Sequence, residues 1–285
     1  MALGPGISYI DWVEKSGSEP AIAFTLKTGT ELITIENLRT VRPRQISRIT
    51  PSSPVGGLIE VGFDLVATDF TDNNNNYGMS IGCVSLINHN IPMGHPFKFT
   101  VTLLDSVGAT IYSNTSVNYT TSYRNAKIYH LFDQVYTEVK TASISIKIAH
   151  DGTYQFNDDF ELGRLWVGNY LETCFESGYS FSHASGGKPF LSIGNDAHIE
   201  KKRARQSMPF DFALINDNDV IYNDANWYNL SQEVSTDSNI LILPRVEDVT
   251  VMQKLCTYGY LKREPVLTSG AGVYWSASLD VVELV

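Results

Sequence analysis

Apolar and polar positions alternate with a period of two over several short stretches. Phe97, Phe99, Val101 and Leu103 are separated by Lys and Thr, and Ile144, Ile146 and Ile148 by Ser and Lys. Phe210, Phe212 and Leu214 repeat the pattern, as do Val273, Trp275, Ala277, Leu279 and Val281. This period places one face of a strand in a core and the other in water. Turn chemistry punctuates the runs at Asp105–Gly108, Asp151-Gly152, Gly186-Gly187 and Gly270–Gly272. Short strands at such spacing, without strand-helix-strand alternation, predict a mainly β protein: a jelly-roll β-sandwich and a second β-rich domain containing one helix.

That helix is expected near 217–234, where Val220, Trp227, Leu230 and Val234 share a face and Asn216 or Asp217 stands at the N-cap position. Residues 57–172 are expected to form the sandwich and 173–285 the second domain. Residues 1–56 show weak strand periodicity and end in the linker-like run Pro51–Gly57, so they are expected to form an N-terminal arm or small subdomain.

Composition narrows the function classes. The chain has 285 residues and a net charge of −10, and its three parts carry +1, −6 and −5. Such a balance argues against specific nucleic-acid binding, which needs a basic surface. No apolar run is long enough to span a membrane, and the first residues lack a signal-peptide pattern. Cys83, Cys174 and Cys256 are widely spaced, which fits buried thiols in a reducing compartment.

Several catalytic signatures are missing: there is no P-loop, no GxGxxG after a strand and no HExxH. The chain is therefore expected to be non-enzymatic and to need no cofactor. The six histidines form no ligand pair by spacing, and Asn88-His89-Asn90 reads as a strand-to-loop corner. Asp158, Asp159 and Glu161 are the densest acidic group; a solvated turn, a calcium loop and a carboxylate pair all remain open for them. Two basic groups stand out, Arg39, Arg42, Arg44 and Arg48 in the first part and Lys201, Lys202, Arg203 and Arg205 in the last. Tyr9 and Trp12 supply apolar anchors near the first group. With an acidic remainder, these residues suggest an interface on a neighbouring subunit.

Two segments carry a resemblance. The run Asn75-Asn76-Tyr77-Gly78-Met79-Ser80-Ile81-Gly82-Cys83-Val84-Ser85-Leu86-Ile87-Asn88-His89-Asn90-Ile91 and the run Asp159-Phe160-Glu161-Leu162-Gly163-Arg164-Leu165-Trp166-Val167-Gly168-Asn169-Tyr170 together resemble bacteriophage minor tail, or tail-tip and baseplate, virion proteins with a galactose-binding-like jelly roll. Arg203–Gln206 before Phe210 and the Tyr258-Gly259-Tyr260-Leu261 strand also look like that group, so the resemblance covers 57–285. It implies a structural virion component in the phage tail, assembled in the host cytoplasm. It would act through subunit interfaces, as a ring or hub homo-oligomer with other tail proteins. The alternative expectation is a carbohydrate-binding module or adhesin that engages host surface glycans through loops of the sandwich.

Overall fold

The computed structural model describes residues 6–16, 21–68, 78–114, 118–119, 127–173, 180–184, 189–191, 197–199, 205–223, 226–236, 238–243, 255–270 and 274–284. The protein is mainly β with antiparallel sheets, and it divides into two units: residues 10–170 with 248–254, and residues 1–9, 171–247 and 255–285.

The first unit is a jelly-roll-like β-sandwich. One sheet runs in the order Ile128–Val139, Met79–His89, Phe160–Gly168, Ser47–Thr50, Thr30–Ile33. The other runs Ile22–Thr28, Leu58–Ala67, Thr141–Ala149, Phe97–Leu104, Thr110–Asn114, with Asn118–Tyr119 also pairing to Phe97–Leu104. Period-two burial is clean in the second sheet. Ile144, Ile146 and Ile148 face Phe63, Phe97, Phe99 and Val101 in the core, while the outward Lys147 pairs with Glu60 at 3.4 Å. Burying such side chains stabilises the fold by about 1.5–3 kcal/mol each.

The central strands of the other sheet are buried on both faces. Met79–His89 and Phe160–Gly168 are covered by the segment 10–16, by a single 3-10 turn Ile35–Arg39 and by Tyr170. Gly82 is required there, because a Cβ would fall 2.5 Å from Tyr170 Cβ. Chain that covers a sheet face in this way belongs to the core.

Residues 10–56 are thus no separate arm. Ile22–Thr28 pairs with Leu58–Ala67, Ser47–Thr50 with Phe160–Gly168, and Val13, Ile22, Phe24, Leu38 and Ile49 enter the core. Trp12 packs against the same core and its Nε1 donates to the Ser80 carbonyl at 2.9 Å. Gly6–Ser8 instead joins the second unit, between Leu171–Glu172 and Asn239–Leu243. The division at residue 56 therefore cuts through one folded unit.

The second unit is built on a sheet ordered Leu171–Glu172, Gly6–Ser8, Asn239–Leu243, Thr257–Leu261, Tyr274–Glu283, Arg205–Asn216, Ser182–Ala184, with Val266–Ser269 beside Tyr274–Glu283. The helix expected over 217–234 is broken. A π-turn spans Asn218–Tyr222, and an α-helix spans Trp227–Glu233. Asn226 starts the second piece by accepting from the Asn229 N–H at 2.7 Å, an N-cap in extended backbone. Val220, Trp227, Leu230 and Val234 are nevertheless all buried, and Trp227 meets Phe212 edge-on at 4.7 Å.

Candidate functional site

A cleft of about 520 Å³ opens on the sandwich where Met79–His89 turns into the loop 90–96. Asn88, His89, Asn90 and Glu161 line it with polar groups, and Ile46, Ile91, Pro92 and Met93 line it with apolar ones. Asn88 adopts φ 61°, the left-handed conformation that asparagine tolerates better than β-branched residues. Its Nδ2 donates to the Pro43 carbonyl at 2.6 Å, which holds the 41–46 turn against the corner.

Gly163 makes that approach possible. A side chain there would collide with the Pro43 carbonyl oxygen and come within 2.9 Å of Asn88 Cβ. Asn90 then locks the loop to the neighbouring strand. Its Nδ2 donates to the Asp159 carbonyl at 2.8 Å, and its Oδ1 accepts from the Glu161 N–H at 3.0 Å. The Ile91 N–H donates to His89 Nδ1 at 3.2 Å, so that ring nitrogen is an acceptor.

Glu161 is held at the cleft wall by Arg48, whose Nη2 donates to Oε1 at 2.5 Å. Both side chains remain partly exposed, at 42% for Arg48 and 36% for Glu161, so each keeps hydrogen-bonding capacity toward solvent. Met93, also lining the cleft, is 63% exposed. The cleft thus combines a carboxylate held by an arginine with apolar lining residues.

The acidic group does not gather into a cation site. Thr50 Oγ1 donates to Asp159 Oδ1 at 2.7 Å, Glu161 pairs with Arg48, and Asp158 points into solvent. Among the described residues no cluster of His, Cys, Asp and Glu is arranged to hold a metal ion.

The arginines expected to reach a neighbour are partly used within the chain. Arg39 pairs with Glu36 at 2.8 Å and Arg48 with Glu161. Arg42 and Arg44 are exposed on the 41–46 turn and make no ion pair among the described residues. Tyr9 and Trp12 are not surface anchors: Tyr9 is buried in the second unit and Trp12 covers the sandwich sheet. Lys201, Lys202 and Arg203 lie outside the described residues, and Arg205 is exposed at the start of its strand.

Sequence reasoning missed the buried ion cluster behind the site. Arg164, fully buried, donates from Nη2 to Asp11 and to Glu14 Oε2 (2.6 Å), and from Nη1 to the Arg39 carbonyl. Asp11 Oδ1 accepts from the Val13 and Val167 N–H groups at 3.0 and 3.1 Å. Burial raises the Asp11 pKa to about 6, with Arg164 pulling it back down. The Gly-Arg-Leu run was visible in the sequence, but nothing local marks residues 11 and 14 as its partners.

No family model matches the chain, and no curated protein sequence matches it. Among solved structures, a Streptococcus pneumoniae fucose-binding module is similar at 8% identity with a TM-score of 0.35, over 56% of this chain and 96% of that one. A family 32 carbohydrate-binding module from C. perfringens NanJ, solved with galactose, is similar at 11% identity with a TM-score of 0.34. That likeness covers 57% of this chain and 98% of the module.

Proposed function

We propose that the sandwich is a non-catalytic glycan-binding unit and that the Asn88–Met93 cleft is its saccharide site. The observation that supports this is one cleft lined by Glu161, itself paired with Arg48, together with Ile91, Pro92 and Met93. A sugar ring presents hydroxyls along its edge and C–H groups on its faces, so it needs polar and apolar walls together. Hydrolysis is the weaker reading. A glycosidase uses two carboxyl groups facing the scissile bond, and Glu161 is the one carboxylate lining this cleft among the described residues.

Arg42 and Arg44 give the site a sign. They flank Pro43, whose carbonyl is bonded to Asn88, and so stand on the turn that borders the cleft. Cations with no ion-pair partner among the described residues, at the rim of an acidic protein, favour a glycan carrying carboxylates. The resemblance to phage tail-tip proteins supplies a setting for this unit: a virion component that meets the host surface through sugar.

Titration of the purified protein with sialyllactose and with lactose tests the reading. Sialyllactose should bind more tightly, and the double change Arg42→Ala, Arg44→Ala should erase the difference. Equal or absent binding of both sugars, with Glu161→Ala unchanged from wild type, would reject it.

A further inference from the structure

We infer that the sandwich carries a second saccharide site, separate from the cleft, on the edge formed by Tyr112, Asp133 and Tyr136, where it takes a neutral sugar presenting a vicinal diol. These residues lie on Thr110–Asn114 and Ile128–Val139, the outer strands of the two opposed sheets. The register of Ile128–Val139 against Met79–His89 slips between Leu131 and Tyr136. A bulge of this kind re-aims side chains away from the ladder. Here it gathers Phe132, Asp133 and Tyr136 around Tyr112, with ring centroids 4.6 Å (Phe132) and 5.3 Å (Tyr136) from the Tyr112 ring.

The hydrogen-bond directions around this group are fixed by one buried histidine. Asn114 Nδ2 lies 3.3 Å from His130 Nδ1, and Tyr112 Oη lies 2.8 Å from His130 Nε2. An amide nitrogen only donates, so Nδ1 is the acceptor. Burial holds His130 neutral at pH 7, its pKa lowered to about 4, so its single ring proton sits on Nε2 and is donated to the Tyr112 oxygen. The Tyr112 O–H is left to donate to another acceptor.

Beside it, Tyr136 Oη donates to Asp133 Oδ1 at 2.9 Å, which leaves Oδ2 of an exposed carboxylate as an acceptor. The Asp133 charge is felt by Tyr112, Tyr136 and His130 alike, which places it within the same cluster. One donor, one acceptor on an exposed carboxylate and two tilted, partly exposed rings match a diol and the C–H face of its ring.

The test uses the full chain carrying 3-fluorotyrosine, titrated with lactose, maltose and methyl α-mannoside and followed by fluorine NMR. At least one sugar should shift the Tyr112 and Tyr136 resonances, identified from Tyr112→Phe and Tyr136→Phe. Asp133→Asn, at an exposed position that spares the fold, should weaken that response roughly tenfold. Glu161→Ala should leave it unchanged, which separates this site from the cleft. Failure of all three sugars to move these resonances, or an Asp133→Asn protein that responds like wild type, overturns the inference.

Discussion

Arg164 donates to the carboxylate of Asp11 across 153 positions of chain, and both side chains are withdrawn from water. The pair pins the chain's entry into the sandwich to the strand Phe160–Gly168 by which it leaves. Removing one partner strands a buried charge, which typically costs about 3–5 kcal/mol. Asp11→Ala should therefore lower unfolding stability in denaturant by about that amount, and Glu14→Ala, at the exposed end of the cluster, by much less.

Asp11 and His130 should bend the pH profile in opposite senses. The raised Asp11 pKa means that the folded state holds its proton more tightly, so this contribution is present below about pH 4 and lost as pH rises to about 6. The lowered His130 pKa means the reverse: stability is present above about pH 6.5 and lost as pH falls toward 4. Each amounts to about 3 kcal/mol across its window. Compared with wild type, Asp11→Asn should remove a falling slope and His130→Gln a rising one, measured as unfolding free energy at successive pH values.

Deleting residues 1–50 should unfold the sandwich rather than release a tidy domain. The deletion removes Ile22–Thr28, Thr30–Ile33 and Ser47–Thr50 from the two sheets, and with them core residues such as Phe24 and Leu38. Loss of the far-ultraviolet β signal and of a cooperative thermal transition would be the outcome; a folded, cooperative remainder would contradict it.

Gly163→Ala should damage the cleft and the fold together. The added methyl meets the Pro43 carbonyl, a backbone atom with no rotamer to yield, so a cost of about 1–3 kcal/mol is expected. Glycan binding should weaken along with stability, because the 41–46 turn and Asn88 are displaced. Gly94→Ala is the control at a neighbouring loop position with open space, although its φ of 74° carries a smaller strain of its own.

What the sequence disclosed follows from where each strand sits. Ile144, Ile146 and Ile148 alternate because their sheet has one wet face, so their period is printed in the residues. Met79–His89 and Phe160–Gly168 lose that period because the segments 10–16 and 35–46 cover their second face. Those covering segments looked like an arm for the same reason: they are single turns and short strands, and their partners lie from 45 to more than a hundred residues away. The Arg48–Glu161 ion pair and the Asn88–Pro43 contact are also non-local, at separations of 113 and 45. Asn88-His89-Asn90 could be read as a corner, but the cleft it closes needs the tertiary fold.

The chain leaves the second unit after residue 9 and returns to it at residue 171, where Gly6–Ser8 pairs with Leu171–Glu172. At the root of the excursion, Asp11 bridges Gly168 and the Ile10 N–H donates to Asn169 Oδ1. Residues 10–170 are thus a guest segment whose flanking strands, Gly6–Ser8 and Leu171–Glu172, pair with each other in the host sheet. Such an arrangement lets a lineage, or an engineer, exchange one guest for another at a fixed pair of splice points, changing what is recognised while the host sheet keeps its pairing.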